Sequence, residues 1–213
     1  MKKFCLIIAA LLVGSTLFAQ QLGSRFNDFY IQYSTKGVQG FGNYENIHNF
    51  NTFTAGYNRG IQLGENSPVY FVPGVNFVYM TKCQGNGQQY ATRKNNGYNL
   101  FGTGVPVNFM YHVAINKAWG FEVNAGFNAM YYWTSSVRMD GMEEIDIFCR
   151  TDSQKYKFPQ AKRFNAGWQG GIKFQVSKVY FGMQYSQDIT KFMRDDDGSF
   201  RWRGFDFMVG IRF

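Results

Sequence analysis

From residue 29 to the end of the chain, apolar and polar residues alternate in runs of about ten, separated by turn or loop signals. Alternation with a period of two marks a strand with one apolar face. Eight such runs can be set out. The first aligns Phe29, Ile31 and Tyr33; the second Phe53, Ala55, Tyr57 and Ile61; the third Phe71, Val75, Phe77 and Tyr79; the fourth Phe101, Val105, Val107, Phe109 and Tyr111. In the fifth, Trp119, Phe121, Val123, Ala125, Phe127, Ala129, Tyr131 and Trp133 share one face, with Glu122, Asn124, Gly126 and Asn128 on the other. The sixth sets Phe164, Ala166, Trp168, Ile172 and Phe174 against Asn165, Gln169 and Lys173. The seventh sets Val179, Phe181, Met183 and Tyr185 against Gly182 and Gln184. The eighth carries Phe205, Phe207, Val209, Ile211 and Phe213. Pro73 and Pro106 fall inside the third and fourth runs, where each removes a ladder donor, so bulges or kinks are expected there.

The connectors alternate in length. Short ones lie at 64–67, around Asn116 and Lys117, and at Ser177 and Lys178; long ones cover 37–50, 81–96, 134–162 and 191–200. Short turns at one end and long loops at the other are the pattern of an up-and-down transmembrane barrel, with the turns on the periplasmic side. A soluble lipocalin-like barrel has the same period with its apolar face turned inward. The polar face decides between them. It holds mostly Gly, Asn, Gln, Thr and Ser rather than the charges a hydrated surface needs. The aromatics agree: Tyr33, Tyr79, Trp133 and Tyr185 fall toward the long-loop end, Tyr111 and Trp119 toward the short-turn end, as two interfacial girdles. The expected fold is all-β, an eight-stranded antiparallel up-and-down transmembrane β-barrel.

Composition changes this picture only at the margins. Aromatics at 19%, with 24 Gly beside 4 Pro in 213 residues, suit one domain of strands and tight turns. The first residues read as a secretory signal: Lys2 and Lys3, an apolar stretch over 4–12, and small residues before Gln20. Cleavage after Ala19 leaves a barrel domain at 20–213; Cys5 lies too early for a lipoprotein attachment site. Removing Lys2 and Lys3 takes the net charge from +8 to +6. Export argues against a nucleic-acid partner, so lipid phosphates or sugar acids are the expected neighbours of the basic loops. Two cysteines remain, Cys83 and Cys149, in the second and third long loops, and an oxidising compartment makes them a candidate disulfide.

The ending, GFDFMVGIRF, places Phe205, Phe207, Val209, Ile211 and Phe213 at alternate positions. It resembles the C-terminal assembly signal of outer-membrane barrels. The whole mature chain resembles the small barrels related to OmpX and OmpA, and especially the PorT-like group of Bacteroidota. The resemblance implies the outer membrane of a Gram-negative bacterium, contact with outer-membrane lipid including lipopolysaccharide, and assembly by the barrel insertion machinery. It also implies a role in envelope integrity, surface adhesion or secretion; a monomer and an unidentified surface or periplasmic protein partner are the expectation beside it.

Candidate chemistry is sparse. His48 has no recognisable partner spacing, and His112 falls on the periplasmic side, away from outer-leaflet lipid, so no enzyme is expected. Asp195, Asp196 and Asp197 lack the later Glu of a calcium loop, and no nucleotide, zinc or haem motif is visible. The inward charges are more informative. Glu122, Lys173 and Arg212 fall in the periplasmic half and Asp206 farther up; unpaired charges in a narrow interior are costly, so Glu122 is expected within reach of Lys173 or Arg212. The expected role is structural or surface-interacting, through long loops on a barrel with a filled polar interior. The third long loop, with EEIDIF, is expected to form a protruding hairpin that offers a strand edge to a partner. The alternatives are a small-solute or lipid transporter or narrow channel, and an outer-membrane lipid-modifying enzyme.

Overall fold

Each alternating run becomes a strand, and each strand pairs antiparallel with the next. The computed structural model describes residues 23–42, 47–83, 97–116, 118–138, 145–149, 161–194 and 198–213. The strands are β1 (Arg25–Gly42), β2 (Ile47–Gln62), β3 (Val69–Cys83), β4 (Gly97–Ala114), β5 (Trp119–Arg138), β6 (Phe164–Val176), β7 (Val179–Asp188), β8 (Met193–Arg194) and β9 (Gly198–Arg212). Their order in the sheet is β1-β2-β3-β4-β5-β6-β7-β9, and β9 pairs back onto β1. The two-residue β8 pairs only with the start of β9, so β1–β7 and β9 form a closed eight-stranded wall. Closure leaves no strand edge along the wall, which is what a sheet needs in a solvent that cannot hydrogen-bond to it.

The apolar face of every strand points outward. Ile31 is 68% exposed, Phe127 64% and Phe29 57%, and the same holds around the whole wall. An apolar exterior on this scale is incompatible with water and matches lipid. The protein is a transmembrane β-barrel of the outer-membrane type, and the soluble alternative, with its apolar face inside, is excluded.

Two expectations about local geometry are corrected. Pro73 pairs with Val107 and Pro106 with Asn128 without any shift of register, so neither proline marks a bulge, although the ladder is interrupted at Pro73, where β2–β3 pairing skips from Asn58–Gly74 to Ile61–Phe71. The bulge lies instead in β5: Phe101 pairs with Thr134 but Gly102 with Tyr132, which leaves Trp133 as the extra residue. The segment 37–50 is also mostly strand rather than loop, because β1 and β2 continue through it. A second register shift, between Lys36 and Val38, accompanies that extension.

Strands of 18 residues in β1 and β4 and 20 in β5 exceed the roughly 9–11 that cross a bilayer. The surplus lies at the loop end, since β5 starts at the girdle residue Trp119 and β4 ends three positions after Tyr111. Beyond the upper aromatic row the two faces exchange polarity. Outward positions become Thr35, Asn51, Thr81, Asn99 and Thr134. Inward ones become Phe50, Met80, Leu100, Val137 and Trp202, all buried in one cluster. The bulge at Trp133 helps, because it shifts the inward set of β5 from Met130 and Tyr132 to Ser135 and Val137. The lower barrel is built for lipid, and the cap above it is built like a soluble barrel.

Candidate functional site

The interior has three storeys. At the turn end, Arg212 on β9 reaches across the lumen. Its Nε donates to Asp28 Oδ1 at 2.7 Å and its Nη2 to Asp28 Oδ2 at 3.0 Å, a bidentate pair. Nη1 donates to Glu122 Oε1 and, at 2.7 Å, to Gln175 Oε1; Nη2 is 3.2 Å from Glu122 Oε2. His112 Nδ1 lies 3.1 Å from Glu122 Oε1. The guanidinium also packs on the Phe26 ring, 4.0 Å from its centroid, and near Tyr180 at 5.5 Å. Those rings lie over the adjacent strand, where their cross-strand partners are glycines: a Cβ on Gly60 would meet the Phe26 ring at 2.1 Å, and one on Gly210 the Tyr180 ring at 2.3 Å. The result is a sealed floor, with Asp28 and Glu122 both 0% exposed.

The middle storey is polar. Asn108, Asn124, Gln169 and Gln184 bond to one another across it, Gln169 Nε2 to Asn108 Oδ1 at 2.8 Å and Asn124 Nδ2 to Gln184 Oε1 at 3.1 Å. The cavity among them measures about 40 Å³, far below the several hundred that a small-molecule pocket needs.

The top storey is apolar and partly filled by the third long loop. Ile145 makes an antiparallel bridge to Val137, and Ile147 and Phe148 are buried among Tyr132, Phe192 and Trp202. Ser135 holds the turn, donating to Asp146 Oδ1 at 2.7 Å and accepting from the Ile147 N–H at 3.0 Å. The IDIF stretch therefore folds down into the mouth; the rest of the loop in which a protruding hairpin is expected, 139–144 and 150–160, lies outside the described residues. Burial of Ile147 and Phe148 is worth about 1.5–3 kcal/mol each, which an exposed hairpin would forgo.

Of the expected interior charges, Glu122 and Arg212 come together. Lys173 stands opposite Glu122 in register, but its ammonium lies over the Tyr180 ring, 4.8 Å from the centroid. Asp206 is buried beside the middle cavity, opposite Ser34 and Gln184, and takes no part in the floor. Asp28 and His112 belong to the floor and were not anticipated. The bridge between Cys83 and Cys149 is not formed: Cys149 is free, and the side chains of Cys83 and His48 lie outside the described ones. Residues 1–22, with the signal segment, and Asp195 to Asp197 also lie outside the described residues. Among the described residues no group of three or more His, Cys, Asp or Glu could hold a metal ion.

The girdle residues sit on the outer wall. Tyr33 and Tyr79 are each 43% exposed and donate to Asn51 and Asn99 of the neighbouring strand at 2.9 Å. Trp133 and Trp119 are 45% and 44% exposed, and Tyr111 and Tyr185 are partly exposed on the same face.

No protein-family model and no curated protein matches the sequence. Solved structures do. The chain is similar to Ail, the attachment invasion locus protein of Yersinia pestis, at 14% identity, over 88% of this chain and 98% of that one, with a TM-score of 0.46. It is similar to Neisserial surface protein A at 11% identity, over 87% and 97%, with a TM-score of 0.47. The outer membrane enzyme PagL matches at 10% identity, over 86% and 98%, with a TM-score of 0.49.

Proposed function

We propose that this is a monomeric outer-membrane protein of a Gram-negative bacterium whose work is done on its outer surface. It is exported through the signal at 1–19 and inserted by the barrel machinery, as in the PorT-like group. The lower barrel is a filled anchor, and the cap is a rigid platform that presents the long loops to a partner. The exchange of polarity above the girdle carries this reading: Phe50, Met80, Leu100 and Trp202 give the protruding strands a core of their own. A transporter is disfavoured by the floor at Arg212, above which the described residues enclose a polar cavity of about 40 Å³. An outer-leaflet lipid enzyme is disfavoured because the His112–Glu122 contact lies at the turn end. Purified protein in a planar bilayer is expected to show no steady conductance. A reproducible open pore would overturn the filled-anchor reading.

A further inference from the structure

The outward apolar belt is not equally tall around the wall. On β1 it covers residues 29–33, between Asn27 and Thr35, and on β2 residues 53–57, between Arg59 and Asn51. It lengthens to 69–79 on β3 and, broken only by Thr103, to 101–113 on β4. It reaches 119–133 on β5, then shortens to 164–176 on β6, 179–185 on β7 and 205–213 on β9. The run is five residues long on β1 and β2 and fifteen on β5. β1 and β5 stand four strands apart, on opposite sides of the eight-stranded wall.

One circuit of the wall fixes the lean of the strands. Cross-strand partners followed from Arg25 on β1 through Ile61, Phe109 and Tyr185 return to β1 at Thr35, ten residues on. Ten residues of stagger over eight strands mean a lean of about 40° to the barrel axis. Each residue then climbs about 2.5 Å, and a lipid band about 25 Å tall takes about ten residues on every strand of an upright barrel. Upright, the stretch from Asn27 to Thr35 would climb about 20 Å and that from Trp119 to Trp133 about 35 Å. Tilting the axis by about 20° steepens β1 to about 20° and flattens β5 to about 60°. The same two stretches then climb about 25 Å and about 23 Å, and both match the band.

We propose that the barrel sits obliquely in the bilayer, its axis about 20° from the membrane normal, so that β1 crosses steeply and β5 at a slant. A bilayer thinned beside β1 would also accommodate a short belt, but it would not call for a long one on the opposite strand. The direction follows from the register. The circuit climbs from β1 toward β2, so each rising strand leans the other way; steepening β1 lowers the rim where β5 and β6 leave the belt and raises it where β9 and β1 do. On the raised side the wall is tall, with β1 and β9 paired up to Gly42 and Gly198, whereas β6 begins at Phe164, at the edge of its own belt. The tilt holds the β1–β9 side of the cap away from the membrane.

The test is immersion depth, read by electron paramagnetic resonance. Single cysteines carrying a nitroxide replace the outward residues Phe29, Ile31 and Tyr33 on β1 or Val123, Phe127 and Tyr131 on β5, in protein whose Cys83 and Cys149 are changed to Ser. In nanodiscs of dimyristoyl phosphatidylcholine, power saturation with oxygen and with a nickel chelate gives the depth of each label. Depth is expected to change by about 3 Å per residue along β1 and by about 1.7 Å along β5, close to a twofold ratio. Equal slopes of about 2.5 Å on the two strands would overturn the proposal and show an upright barrel that deforms the bilayer around it. A steeper slope on β5 than on β1 would overturn it as well.

Discussion

At the floor of the barrel one guanidinium, that of Arg212, meets the carboxylates of Asp28 and Glu122 and the rings of Phe26 and Tyr180. A planar fork with several donors serves two carboxylates at once, and an ammonium cannot. That is why Arg212 took the partner that register alone would have given to Lys173. Removing one carboxylate leaves a buried cation under-compensated. Glu122→Gln and Asp28→Asn are each expected to destabilise by about 3–5 kcal/mol in urea refolding titrations. Glu65→Gln, in an exposed short turn, is expected to stay within about 0.5 kcal/mol. Equal effects at all three positions would mean that the floor is wet. Part of this cluster was legible, because inward parity identifies Glu122 and Arg212. Asp28 was not, since it precedes the first apolar residue of its run. His112 was missed because its partner lies across the turn, ten residues on.

Among the elements, β9 and the third long loop are under the strongest constraints. β9 closes the wall, and Phe213, the residue after it, is tied to β1 by main-chain bonds, Asn27 N–H to Phe213 O at 2.9 Å and Phe213 N–H to Asn27 O at 3.0 Å. The Phe213 ring stacks on Phe29 at 5.8 Å yet is 58% exposed to the lipid side, so its loss should cost no more than about 1.5–3 kcal/mol. Phe213→Ala, which keeps those main-chain bonds, is therefore expected to leave refolding in detergent nearly intact. If the ending acts as the assembly signal it resembles, outer-membrane yield in cells falls sharply; normal yield would reduce Phe213 to lipid-facing bulk. In the third loop, Ile147→Asp puts a charge in the apolar mouth. It is expected to release the segment, so that limited proteolysis cuts between 139 and 160 while the lipid-embedded wall survives; resistance equal to the parent would contradict the account of the mouth. Alternation along the chain made every lipid-facing strand visible. It could not reveal the cap, because there the same alternation continues with its meaning reversed: in Phe50–Asn51–Thr52–Phe53, Phe50 points in and Phe53 out. Only the height of the membrane separates the two cases, and a single bulge at Trp133 moves the phase of β5.

For the molecule as a whole, the central claim is that the apolar face of the wall meets lipid while the cap encloses a separate apolar core. The chain has four tryptophans, and they divide along that line. Trp119, Trp133 and Trp168 are 41–45% exposed on the outer wall, whereas Trp202 is 4% exposed inside the cap. Single-tryptophan variants, with the other three changed to Phe, can be reconstituted in bilayers whose acyl chains carry bromine at a chosen depth. The account predicts strong quenching of Trp168, quenching of Trp119 and Trp133 by bromine placed near the headgroups, and no quenching of Trp202 at any depth. Quenching of Trp202 comparable to that of Trp168, or an unquenched Trp168, would contradict it.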